Sequence, residues 1–496
     1  MKKLGMFLLG FAALVLAGTA AQAAMEDDND NKFTLHGEIR FRGEWWDNLS
    51  DFTDSGKDPN SVTFNTNDSL DMYPYRVRLA ARGELGHDIW IFGELQNSGV
   101  AGDRFAETVN VFGHSDTLIF GGGETTLYQG YVKIKDVADS VLDVAFGRQE
   151  IVFDRGLHFS SLDFYNGISH DGVMAAWDWD NFAIHGFWTK VNESNVFFGF
   201  FDGDNDADNN LYGAHFKHMT GKDEDQDVAY YLFYQTQNVG GLDNTEDRGA
   251  IWTLGGRWGR TLKGESGWVW NAELALQGGD FSCYFAPGTF TGDCFTASNE
   301  ESTLDHKAWV FEGALGYNWH EGKTDQKIWG SATWATGDDD PNDSDNDAYS
   351  PLYTDFHNRL GYADLFAVTN IQAYSVGYKI NVDDRHAFGV ALWNFSQAEH
   401  ETDTLSPLTF ASTGDALASA CFDDVTPPAG ESCSDDLGNE LDLFYNYYLT
   451  ENFSFDTALS WFEPGDAIED HWSGFGSEDA GDDAAWRLTA QARGRW

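Results

Sequence analysis

The chain has 496 residues, a formal net charge of −51 at neutral pH, 53 glycines and an aromatic share of 15%. That charge excludes nucleic acid and anionic lipid surfaces as partners of the exterior, because the summed field repels them, and a saline habitat in which acidic surfaces stay solvated accounts for the excess without any ligand. Beyond the N-terminus no stretch approaches the ~20 apolar residues of a transmembrane helix, so a membrane role requires closed strands.

In chain order, Met1 to Ala23 reads as an export signal: Lys2 and Lys3, an apolar core from Leu4 to Ala17, then the small-x-small site Ala21-Gln22-Ala23. Residues 24–32 form a short acidic segment. From Phe33 to Trp496 no Pro/Gly/Ser linker divides the chain, and one unit recurs: two alternating apolar/polar stretches joined by a short link, then a long acidic one. Period-two alternation predicts strands over 33–46, 73–85, 88–97, 126–135, 141–149, 170–179, 182–190, 210–217 and 228–237. It continues over 250–259, 268–277, 307–319, 326–335, 371–380, 386–395, 440–449, 452–462 and 485–496. The short connections are 86–87, 136–140, 180–181, 218–227, 260–267, 320–325, 381–385 and 450–451. With the N-terminus periplasmic, these are periplasmic turns and the long ones extracellular loops.

This pattern predicts an all-β transmembrane antiparallel up-and-down β-barrel of about 18 strands in the outer membrane of a Gram-negative bacterium, with lipid around it. The first strand shows the two faces: Leu35, Ile39, Phe41 and Trp45 on one, His36, Glu38, Arg40, Arg42 and Glu44 on the other. The last shows them again, with Trp486, Leu488, Ala490 and Ala492 against Arg487, Thr489, Gln491, Arg493 and Arg495. Lipid-facing arginine near the midplane costs ~2–4 kcal/mol, so Arg40, Arg42, Arg76, Arg78, Arg82, Arg257, Arg487, Arg493 and Arg495 are expected to line the lumen. Glu38, Glu44, Glu84, Glu94, Glu273, Glu312, Asp442 and Asp456 share that parity, so two readings stay open: a net-cationic pore, or paired charges that stiffen the wall.

Four cysteines in an exported chain predict two local disulfides, Cys283–Cys294 and Cys421–Cys433, both in long loops. The acidic runs with Asp202, Asp204 and Asp206 and with Asp343, Asp345 and Asp347 depart from an EF-hand, the first carrying Ala207 in the sixth place and Gly213 in the twelfth. Loose Ca²⁺ binding there is the alternative to solvated loop acids, and no other cofactor is expected. No HExxH, GxSxG or P-loop pattern occurs, which reads as a non-enzymatic chain.

Three stretches carry a family resemblance. They are Tyr73–Gly86 (YPYRVRLAARGELG) with Ile91–Ser98 (IFGELQNS), then Phe146–Ile151 (FGRQEI) through Asp154-Arg155-Gly156 to His170–Val173 (HDGV). The third is Ala335–Asp343 (ATGDDDPND) with Pro351-Leu352-Tyr353 and Gly361–Phe366 (GYADLF). With the strand pattern, the chain resembles the alginate export family over nearly its whole mature length. The resemblance implies an eighteen-stranded monomeric barrel that passes an anionic polysaccharide through an arginine-rich constriction, fed by periplasmic export components. On matching positions it implies that Arg76, Arg78, Arg82, Arg148 and Arg155 are pore arginines, with an inward constriction or a structural anchor as the two readings of segment 150–169. The physical case is that fixed guanidinium groups meet each carboxylate bidentately while no single contact is strong. The expected function is passive passage of an anionic polysaccharide or its oligomers. The alternatives are a general or nutrient porin for small solutes with a charge-paired lumen, and a surface adhesion barrel with cation-binding loops.

Overall fold

The structure is a computed structural model and describes residues 32–49, 69–86, 88–101, 123, 125–192, 209–221, 225–238, 248–262, 264–282, 303–339, 345–357, 359–399, 434–468 and 483–496. The export signal, both cysteine pairs, Asp202, Asp204, Asp206 and Asp343 lie outside these residues.

The strands in chain order are β1 (Lys32–Asp47), β2 (Leu70–Met72), β3 (Pro74–Leu85), β4 (Ile89–Val100), β5 (Thr125–Ile134), β6 (Leu142–Gln149), β7 (His170–Asp178), β8 (Phe182–Asn192), β9 (Asn209–Thr220) and β10 (Gln226–Asn238). Then follow β11 (Arg248–Arg260), β12 (Gly267–Ser282), β13 (Thr303–Glu321), β14 (Thr324–Ala335), β15 (Asp345–Asn346), β16 (Ile371–Asn381), β17 (His386–Ser396), β18 (Asp436–Thr450), β19 (Phe453–Pro464) and β20 (Ala485–Arg495). Eighteen of them form a closed antiparallel barrel. Each pairs with its chain neighbours, and β20 closes the ring on β1 through Arg40 opposite Arg493. The other two are short additions that alternation did not predict: β2 pairs with Glu44–Trp46 of β1 in line with β3, and β15 lies parallel to β13.

Closure removes every sheet edge, and the face turned outward is oily: Leu79, Leu232, Leu254, Trp258, Leu315, Val376, Leu392 and Trp461 are all exposed there. A contiguous apolar surface of that extent needs a nonaqueous solvent.

The expectation that the inward parity stays polar fails in the half of the barrel nearest the long connections. Phe187, Phe233, Phe395 and Phe462 point inward and are buried. The reason is that segments 150–169 and 345–370 fold into the lumen and bring their own apolar side chains, including Ile151, Leu157, Phe159, Leu360, Leu365 and Phe366. Inward phenylalanines therefore meet protein rather than water. The two segments are laced together by a bridge between Phe159 and Tyr353, by the Tyr353 amide on the His158 carbonyl (2.8 Å) and by the Ser160 amide on the Tyr353 carbonyl (3.1 Å). Tyr349 Oη lies 3.0 Å from His158 Nδ1, and His158 Nε2 lies 2.9 Å from Tyr231 Oη, whose hydroxyl donates to Glu273 (2.9 Å). The His158 nitrogens and both tyrosine hydroxyls are satisfied when His158 carries its proton on Nε2, while Glu273 Oε2 stays buried without a hydrogen-bond partner among the described residues.

Candidate functional site

Antiparallel register sets Arg40 opposite both Arg76 on β3 and Arg493 on β20. Three guanidinium groups in one row repel, so something anionic must sit among them. Segment 150–169 provides it. Asp163 pairs with Arg76 and Arg493, and the backbone carbonyls of Asp163 and Tyr165 accept from Arg40 and from Arg76 (3.0 and 3.1 Å). Burial alone would raise the Asp163 carboxyl, but Arg76, Arg493, Arg40 and Arg78 together hold it far below the ordinary range. On the wall itself Glu38 accepts from Arg76 Nε (2.9 Å), Arg493 Nε (2.7 Å) and Arg495 Nε (3.2 Å).

A second cluster lies toward the long-connection end. Arg487 donates to Glu44 (2.8 Å) and pairs with Asp364, while Arg42 pairs with Glu44 and stands 4.0 Å over the Phe164 ring. Phe164 in turn stacks on His357, which bonds Asp364 at 2.8 Å. Burial opposes ionisation of Asp364, yet His357 and Arg487 hold its carboxyl down at about 2. Arg78 donates to Gln96 (2.6 Å) and to the Asn166 carbonyl (3.2 Å). Arg82 pairs with Glu84 and lies 3.5 Å over Trp90. The structure thus places Arg40, Arg42, Arg76, Arg78, Arg82, Arg487, Arg493 and Arg495 inward, but engages each with acids or carbonyls. Arg148 departs from the expectation. It shares the outward parity with Phe146 and binds Asp171 bidentately at 2.8 and 2.6 Å, because Asp171 stands directly opposite it on β7.

The other end of segment 150–169 is pinned across the lumen. Counted round the ring from β1 through β3, β9 to β11 are the eighth to tenth of eighteen strands, so they face β1. There Asp154 bonds His215 (2.7 Å) and Lys217 (3.2 Å), with Arg257 at 3.8 Å. Burial would raise the Asp154 carboxyl, but the His215 hydrogen bond together with the Lys217 and Arg257 charges holds it at about 2. One segment therefore spans the diameter with a carboxylate at each end.

Beside it lies a cavity of about 730 Å³. It is bounded by Arg155, by Arg257 and Arg260 and by the inward face of β13, β14, β16, β17 and β18. Arg257 is taken up by Asp227 and by Asn271 (2.6 Å), Arg260 by Asp225 (2.7 Å), and Arg359 by Glu312 and the Arg155 carbonyl (2.6 Å). Three cations remain. Lys327 and Lys379 stand directly opposite each other on β14 and β16, and neither they nor the Arg155 side chain forms a salt bridge among the described residues, Asp456 and Glu273 acting on Lys379 and Arg155 only from farther off. Asp355 also borders the cavity, and burial raises its carboxyl above the ordinary range. Sequence reading named Arg155 and passed over Lys327 and Lys379. The available signal was that each lysine shares parity with polar or small residues, Ser331 and Thr333 for one and Ser375 for the other. Their juxtaposition needs the register.

Asp345 pairs with Lys307 (2.7 Å), and no group of three or more potential metal ligands occurs among the described residues.

A family model described as alginate export matches residues 57–475. No curated protein matches the sequence. Among solved structures, the chain is similar to the outer membrane protein OprD from Pseudomonas aeruginosa, at 8% identity, 93% of this chain and 94% of that one covered, TM-score 0.53. It is also similar to Acinetobacter baumannii OccAB1 (12% identity, 93% and 96% covered, TM-score 0.52) and Pseudomonas aeruginosa OpdL (8%, 94% and 99%, 0.52). At these identities the likeness is one of fold.

Proposed function

Because the chain belongs to the alginate export family of outer-membrane β-barrel channels, which are not enzymes, we propose that it passes an acidic saccharide, an anionic polysaccharide or its oligomers, by diffusion through the lumen. One observation carries this reading: Lys327, Lys379 and Arg155 border one cavity without a salt bridge, whereas the inward arginines of the wall are engaged at contact distance by acids or carbonyls among the described residues. Like charges placed directly opposite on neighbouring strands destabilise a sheet, so their retention makes sense where an anion visits. Lysine suits transit, since a compact, mobile ammonium holds a carboxylate less rigidly than the arginine fork. The ring closes within one chain, which favours a monomer as the working unit.

A general porin for small solutes is the second reading, favoured by the extensive pairing of the arginine wall. Reversal potential in a salt gradient across a planar bilayer, with and without polyuronate, separates the two. Anion selectivity with polyuronate block is expected, and replacing Lys327, Lys379 and Arg155 together by glutamine should reduce both. Negligible or cation selectivity without block would assign the barrel to the general porins.

A further inference from the structure

The unmatched lysines do not stand alone. Lys327, Lys379, Gly389 and Phe444 are successive partners across β14, β16, β17 and β18, and in the next row of the same wall Trp329 stands opposite Gly377. Both glycines serve close approach: a Cβ on Gly377 would overlap the Trp329 indole, and one on Gly389 would overlap the Phe444 ring. Each ring therefore lies flat on the sheet with its other face toward the cavity or its lining, Phe444 being continued by Tyr362 stacked on it at 5.5 Å. The Lys327 ammonium is 5.8 Å from the Trp329 ring centre, and the indole N–H has no hydrogen-bond partner among the described residues. A flat aromatic face with a free N–H, the Lys327 ammonium over it and Lys379 directly across from Lys327 on β16 form one patch.

A pyranose ring presents a face of C–H bonds, which an aromatic surface attracts, and a rim of hydroxyls; a uronic acid adds a carboxylate at that rim. We infer that Trp329, Lys327 and Lys379 form a binding subsite for a single uronic acid residue, the ring lying on the indole and the carboxylate between the ammonium groups. This rests on the acidic-saccharide reading above and adds to it that the channel recognises the sugar ring as well as its charge.

The test is block of single-channel current by a short uronate oligomer, by acetate at equal carboxylate concentration and by a neutral oligosaccharide of equal length. Wild type should be blocked by the uronate at concentrations at which neither of the others acts. W329A should weaken uronate block about tenfold, as the loss of one stacking contact implies. W329F, which keeps a flat ring over Gly377, should retain most of it, and W268A on the lipid-facing surface should match wild type. Heat-modified electrophoretic mobility checks that each variant is a folded barrel. Equal block by acetate and uronate, or undiminished uronate block in folded W329A, overturns the subsite. Should wild type show no anion selectivity while Trp329-dependent uronate block persists, the reading of selective acidic-saccharide passage fails and the subsite stands.

Discussion

Arg487 and Lys379 carry the same charge on the same inward parity, and their surroundings assign them opposite work. Arg487 is fully buried between Glu44 and Asp364, so its removal takes one cation from each of two buried carboxylates, leaving Glu44 with Arg42 and Asp364 with His357. Arg487→Met is expected to cost ~3–5 kcal/mol, the range for breaking a buried ion pair, read from the urea midpoint of intrinsic fluorescence in lipid. Lys379→Gln relieves repulsion from Lys327 and should leave that midpoint within ~0.5 kcal/mol while reducing anion selectivity. Equal destabilisation by the two variants would mean that Lys379 also belongs to the wall. The arginines legible in the sequence as lumen residues are thus mostly structural ties, since guanidinium groups that reach backbone carbonyls and carboxylates together hold a segment in place. Arg148 was misplaced by resemblance alone; the outward exposure of Phe146, two residues earlier, would have corrected it.

At the scale of elements, segment 150–169 is a strut rather than a free loop. Its start is tied by Asp154 to β9 and its end by Asp163 to β1, β3 and β20, and the chain between turns through left-handed residues at Asp154 and Leu162 (φ 51° and 49°). Both carboxyls are depressed in the folded state. Their stabilisation is therefore complete above the unfolded aspartate range near pH 4 and is lost as pH falls toward about 2, where Asp154 protonates. Conductance should be flat from pH 7 to 4 and rise below it as the strut loosens. The D154N/D163N double variant should already show the raised conductance at pH 7. A wild-type conductance that falls on acidification, or a double variant indistinguishable from wild type, would show that the strut is held by its apolar side chains alone. That outcome has a physical basis, since Phe159 and Leu157 are entirely buried against the barrel wall.

For the whole molecule, a formal charge of −51 coexists with a cavity bordered by Lys327 and Lys379. Antiparallel alternation starts every long connection from one end of the ring, whereas Lys327 and Lys379 lie near the short turns at the other, where Asp355, from the inward-folded part of the connection after β14, also reaches the cavity. An anion approaching from the long-connection end crosses a repulsive field that one from the other end does not meet. At low salt, uronate added on the short-turn side should block faster than uronate added on the long-connection side. The difference should vanish near 1 M, where the screening length shrinks from ~10 Å at 0.1 M to ~3 Å. Equal rates at low salt would mean that the acidic connections do not govern access.

The barrel, its strand number and its alternation of short and long links are legible in the sequence because a strand's side chains alternate with period two and a lipid solvent demands an apolar outer parity throughout. The inward parity carries no such rule. What stands there is decided by whatever fills the lumen, and long-range folding of segments 150–169 and 345–370 turned part of it apolar and consumed the arginine wall. The meeting of Lys327 with Lys379, and of Trp329 with Gly377, depends on the register between β14 and β16, strands separated by a 35-residue connection whose course alternation does not record. The sequence by itself determined the container and its solvent; only the tertiary structure decided which charges remain free inside it, because pairing is a property of distance across the lumen and not of position along the chain.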